Sequence, residues 1–217
     1  MSETTTVIIA VGAAAVFAAL AVILASRRTS GVRDMLAAVA TSAGWSDLRS
    51  SFVFASGVKA TWRSFPVDLA YLPAQKGVPQ RLRTRIRAQS DALLTIKRRF
   101  PGLFSNKPIA WFGPPLIDVH HPAAAELWVR GDAALAERLF GDTSLMSMIS
   151  SNVVARFDEI RIDRRGLSVL RSLDDRNVRE LYGLRRIQWT PDPERFEPIA
   201  REEIALAQSL SQKLMSF

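Results

Sequence analysis

Nineteen consecutive residues, Val7 to Ala25, carry neither a charge nor a strongly polar group, and Arg27 and Arg28 follow directly behind them. As a helix rising about 1.5 Å per residue, this run reaches about 28 Å, close to the roughly 30 Å hydrocarbon thickness of a bilayer. A segment apolar on every face does not suit the surface of a globular domain. It predicts one transmembrane helix at 7–25, with a short extracytoplasmic N-terminus at 1–6, a linker at 26–30 and a cytoplasmic domain at 31–217.

A cleaved secretory signal fits less well. Its basic leading region is missing, because Glu3 is the only charged side chain in Met1 to Thr6, and the apolar run exceeds the usual length. Ala19 and Ala21 do supply a small-x-small pair. Orientation follows from Arg27, Arg28 and Arg33, all downstream of the span, which place the following domain on the cytoplasmic side of the cell (inner) membrane. Ala10, Ala14 and Ala18 recur every four residues and would admit a homodimer through the span, although eight alanines in nineteen residues also produce such spacing by chance.

The remaining chain is long enough for one domain with its own core. It contains no cysteine, which excludes disulfides, thiol catalysis and cysteine-ligated metal centres. Its charge is localised. Between Lys76 and Lys107 nine basic residues face one acid, Asp91, and outside that window twenty basic residues balance twenty acidic ones. The chain's excess of +8 is therefore one patch rather than a uniformly basic surface.

Hydrophobic periodicity places that patch. Val32, Leu36, Val39 and Ala43 have helical spacing over Gly31 to Ala43, with Gly44 as the stop. Phe52 and Phe54, then Val58, Ala60 and Trp62, then Val67, Leu69 and Tyr71 alternate with period two, predicting a three-stranded meander with turns at Ser56-Gly57 and Ser64-Phe65-Pro66. Arg81 to Ala88 alternates throughout: Leu82, Thr84, Ile86 and Ala88 face one way, and Arg81, Arg83, Arg85 and Arg87 the other. Leu94 and Ile96 suggest its partner strand. A helical stripe of Leu82, Ile86, Leu93, Ile96 and Phe100 competes, but the β-branched residues favour strands.

Further strands are expected at Leu116 to His120 and Glu126 to Arg130. Two helices capped by Asp132 and Asp142 should follow, then a hairpin of Glu159–Asp163 and Leu167–Arg171 around an Arg-Arg-Gly turn. A closing amphipathic helix runs from about Pro198 to Leu214, with Ile199, Leu206, Leu210 and Leu214 inward. The fold class is α+β: one N-terminal transmembrane helix, then an antiparallel sheet with helices on one face.

No Gly-rich phosphate loop, nucleophile elbow, zinc-type His-Glu pairing or kinase signature occurs, so no catalytic residue, metal ligand or cofactor is assigned. Asp118 and His120 would share a strand face as two metal ligands do, but lack a third nearby. The adjacent acidic pairs, such as Glu202-Glu203, read as surface. The candidate binding surface comprises Arg81, Arg83, Arg85 and Arg87, the neighbouring Lys97, Arg98 and Arg99, and the aromatic loop residues Phe104, Trp111 and Phe112. Guanidinium groups about 7 Å apart along one strand repel unless something negative faces them. The expected function is a single-pass membrane protein whose cytoplasmic domain is a binding or scaffolding module, docking an acidic protein partner or anionic lipid headgroups. A membrane-bound enzyme acting on an anionic substrate is the alternative. Nucleic acid ranks lower, because RLRTRIRA interleaves no aromatic side chain with its charges.

Overall fold

A computed structural model describes residues 30–51, 56–73, 80–98, 114–150, 157–172 and 193–214, together with Val16. The predicted span at 7–25 and the Ala10, Ala14 and Ala18 face lie outside the described residues, Val16 excepted. Among the described residues no helix is long and apolar enough to cross a membrane.

The domain is α+β, built on one eight-stranded antiparallel sheet. In chain order, helix α1 is described over 30–42. It is followed by β1 (Ser46–Ser51), β2 (Ser56–Trp62), β3 (Phe65–Leu72), β4 (Arg81–Ile86) and β5 (Leu94–Arg98). A 3-10 turn (Pro122–Glu126) leads into β6 (Leu127–Gly131), α2 (Ala133–Gly141), α3 (Thr143–Ser150), β7 (Phe157–Asp163), β8 (Gly166–Ser172) and α4 (Pro193–Leu214). The strands lie in the order β1-β2-β3-β4-β8-β7-β5-β6.

Helix α1 ends as its sequence dictates. Gly44 takes φ +78°, and the Trp45 amide donates to the Ala40 carbonyl at 3.0 Å, closing a Schellman-type cap. The meander that follows differs from the sequence reading in register. Its first strand is Ser46–Ser51, and residues 52–55 lie outside the described residues. Gly57 is not a turn residue; it sits inside β2 opposite Ala70, where a Cβ would come 2.7 Å from the Leu69 carbonyl oxygen. The β2–β3 turn is Arg63-Ser64, both at positive φ, and Pro66 lies within β3. Two central residues at positive φ make the turn whose twist suits a two-residue hairpin, so Ser64-Phe65-Pro66 is displaced by one step.

Strand β4 forms as expected, but its partner is not β5. The β7–β8 hairpin separates them: β4 pairs with β3 and β8, while β5 pairs with β6 and β7. Gly166 makes the insertion possible. At φ +107° it brings the hairpin turn so close to β4 that a Cβ there would collide with the Ile86 carbonyl oxygen. Leu116–His120 is not a strand either. It touches the sheet through an isolated bridge between Leu116 and Arg130, with the Ile117 amide donating to the Val129 carbonyl.

The helices gather on one face. Leu69, Leu82, Ile86, Ile96, Ile160 and Val169 point to that side and are fully buried, meeting Leu36 and Val39 of α1, Leu139 of α2 and Leu145 of α3. Asp132 accepts hydrogen bonds from the Ala134 and Leu135 amides at the start of α2, and Asp142 accepts from the Leu145 amide at the start of α3. Helix α4 packs over β4 and β8, the middle of the sheet, with its predicted stripe buried. It begins at Pro193, which suits a first turn, so Pro198 falls inside it.

One pair in this core is ionic. Arg171 on β8 has no exposure, its Nε donates to Glu203 Oε2 on α4 at 3.0 Å, and Glu202 Oε2 stands 3.7 Å from its Nη1. Glu203, read from the sequence as surface, is likewise unexposed. Burial pushes its carboxyl above the ordinary carboxylate range, Arg171 pulls the other way, and Asp158 and Glu202 add like charge.

Candidate binding surface

The opposite face of the sheet carries no described helix, and the arginine strand crosses its middle. Alternation puts Arg81, Arg83, Arg85 and Arg87 on that side of β4, because Leu82, Thr84 and Ile86 are taken by the core. Cross-strand register extends the arrangement in two rows. In one, Lys59, Asp68, Arg85, Ser168, Arg161, Thr95 and Arg130 stand side by side across six successive strand pairings. In the next, the order is Ala70, Arg83, Leu170, Glu159, Lys97 and Trp128.

Three carboxylates on this face, Asp68, Glu159 and Asp163, are already engaged. Asp68, only 6% exposed, accepts from Arg87 Nη2 at 3.2 Å and lies 3.8 Å from Arg83 Nη2. It therefore bridges the two arginines that flank its own cross-strand partner, Arg85. Glu159 pairs with Lys97 at 3.1 Å, and Asp163 with Arg161 at 3.0 Å. Among the described residues no carboxylate comes within ion-pair distance of the Arg81, Arg85, Arg164 or Arg165 side chains.

These side chains share a groove of about 1170 Å³ along β4, β8 and the β7–β8 turn. Its lining holds seven arginines (Arg81, Arg83, Arg85, Arg87, Arg161, Arg164 and Arg165) against Glu159 and Asp163, an excess of five positive charges. Leu72, Leu93 and Leu170 add apolar wall. The crowding is felt most by Arg83. Burial, and then the neighbouring Arg85 charge, push its guanidinium below the usual arginine range, with Asp68 opposing. The Nε atoms of Arg81 and Arg83 are buried without a hydrogen-bond partner.

The other sequence-predicted site residues separate from this groove. Lys97 shares the open face but stands beyond β8 and β7, tied to Glu159. Arg98 falls on the opposite phase of β5 from Lys97, the side of Leu94 and Ile96, so it does not extend the row. Arg99, Phe104, Trp111 and Phe112 lie outside the described residues. His121 rests its ring 5.7 Å from that of Phe140, and among the described residues no group of three or more metal-ligating side chains converges with Asp118 and His120.

Sequence reasoning missed Asp68, Arg161, Ser168, Arg164 and Arg165. Asp68 stands on β3, the strand before β4, and the other four sit far from β4 in the chain. The hairpin was visible, and its outward phase together with the Arg-Arg turn would have marked a second source of positive charge, but nothing local said that it lies beside β4.

No protein-family model matches this chain, and no curated protein matches it. Among solved structures it is similar to the crystal structure of the mycobacterial trehalose monomycolate transport factor A, TtfA, with a TM-score of 0.41 and 12% sequence identity over 80% of this chain and 96% of that one. At that level of likeness neither function nor site residues transfer.

Proposed function

We propose that this chain is a membrane-anchored docking protein whose cytoplasmic α+β domain binds an anionic partner, an acidic protein segment or lipid headgroups, on the helix-free face of its sheet. One observation carries the reading: seven arginines line a single groove there, and all three carboxylates beside it are already paired. A sheet face so charged gains from an incoming anion, because like charges at strand spacing repel while they remain uncompensated. The apolar run Val7 to Ala25 supports the anchor, and the arginines behind it support the cytoplasmic side.

Because Arg83 and Arg87 hold Asp68, the informative change reverses Arg81 and Arg85 instead. Held by its anchor in phosphatidylcholine nanodiscs, the R81E/R85E chain should lose binding to phosphatidylserine vesicles, and in intact membranes it should lose its crosslinked partners, while keeping its thermal midpoint. Unchanged vesicle binding together with unchanged crosslinks would overturn the proposal.

A further inference from the structure

The open face is not uniformly basic, and its register singles out one position. Ser168 on β8 stands between Arg85 on β4 and Arg161 on β7, each its direct cross-strand neighbour. With strands about 4.8 Å apart, the two arginine Cα atoms lie roughly 10 Å from each other, so both side chains can reach over the serine. Arg85 has no carboxylate partner among the described residues, and Arg161 meets Asp163 through its Nε at 3.0 Å. The adjacent row cannot do the same. There Arg83 is paired with Asp68, Leu170 replaces the serine, and Glu159 rather than an arginine stands on β7.

We propose that Arg85, Ser168 and Arg161 form a binding site for the phosphate of a phosphomonoester, seated over β8. This rests on the docking reading only in that both use the same face. Three donors arriving from three neighbouring strands suit a tetrahedral group with three terminal oxygens better than a planar carboxylate with two. Arginine is the side chain that recognises phosphate with directed pairs of N–H groups, and the serine hydroxyl supplies a neutral donor between them. The groove is much larger than one phosphate, and Leu170 lies two residues along β8 from Ser168. The rest of the ligand therefore runs along the groove past an apolar wall. A soluble phosphate ester and a phosphatidic acid headgroup present the same chemistry.

The test uses the full-length chain in phosphatidylcholine nanodiscs, titrated with glycerol 3-phosphate, and a parallel flotation with phosphatidylcholine vesicles with and without phosphatidic acid. R85Q should weaken binding by about 10- to 100-fold, as expected for a charge-assisted hydrogen bond. S168A, which alters no charge, should weaken it by about 3- to 10-fold, and S168T, which keeps the hydroxyl, should restore it. R49Q removes an equal charge from β1 and should change nothing. Ser168-dependent binding in the titration alone identifies a soluble ester; Ser168-dependent binding to vesicles alone identifies a headgroup. If S168A binds both as the unaltered chain does, and R85Q weakens binding no more than R49Q, the site is overturned. That result leaves the docking face intact, provided R81E/R85E still loses its vesicle binding.

Discussion

Arg171 and Arg85 belong to adjacent strands of one sheet, yet the two faces treat them oppositely. Arg171 points into the core, has no exposure, and meets Glu203 at 3.0 Å with Glu202 close by. Arg85 points out of the sheet, is exposed, and its cross-strand carboxylate, Asp68, is held by Arg83 and Arg87. The first arrangement answers a desolvation cost, because a charge taken out of water must find a partner. The second leaves the cost of repulsion standing, and the fold tolerates it because water screens it. An uncompensated cluster that water can reach is one that a ligand can reach.

The largest effect is expected at the buried arginine. R171M leaves Glu203 without its hydrogen-bonded cation and should lower the unfolding free energy by about 3–5 kcal/mol, as removal of one partner from a buried ion pair does. R171M/E203M should recover most of that loss, since an apolar pair of similar volume avoids the desolvation of both charges. R81Q and R85Q should each stay within about 0.5 kcal/mol of the unaltered chain. Urea unfolding of the full-length chain in detergent checks all four. A loss at Arg85 as large as that at Arg171 would mean that the open-face arginines are structural.

Asp68 marks the contrast, because among the described residues it is the one carboxylate that the arginine strand pairs with. D68N keeps the shape and removes the charge, leaving Arg83 and Arg87 beside each other without an anion. Stability should fall by about 1–3 kcal/mol at low salt, the range for depriving a hydrogen-bonded charge of its partner. The deficit should shrink as salt rises toward a Debye length of about 3 Å at 1 M. Anion binding on the groove should move the other way and tighten, which an unfolding defect alone would not produce. Binding that weakens in D68N would show instead that Asp68 orients the arginines for the ligand.

The arginine row was legible in the sequence because a strand's two-residue period is local: RLRTRIRA declares both of its faces. The same logic nearly exposes the buried pair. Arg171 occupies the inward phase of Leu167 and Val169, and Glu203 occupies the inward stripe of Ile199, Leu206 and Leu210. Two opposite charges in apolar phases of separate elements are best explained by each other, whereas reading Glu202-Glu203 as a surface pair ignored the phase. What could not be read was the insertion of the β7–β8 hairpin beside β4. That depends on Gly166 allowing close backbone approach and on which edges remain to be paired, and neither is written in local periodicity. The groove, assembled from β4, β8 and the hairpin turn, was therefore only half visible.

The smallest effect belongs to a pair that lies between the two extremes. Lys213 Nζ near the end of α4 donates to both oxygens of Asp142 at 2.8 Å, joining that helix to the N-cap of α3. The Lys213 hydrogen bond, helped by the Leu145 amide, holds the Asp142 carboxyl below the ordinary aspartate range. A carboxylate whose pKa is lowered on folding stabilises the fold above its unfolded value, about 3.9, and that contribution fades as pH falls through the lower folded value. The thermal midpoint of the unaltered chain should thus drop slightly more between pH 5 and pH 3 than that of D142N, whose amide keeps the cap but cannot titrate. The difference should be a small fraction of the R171M loss, because this pair faces water and salt screens it. An equal acid sensitivity in the two chains would show that water already answers Asp142, as it answers Arg85.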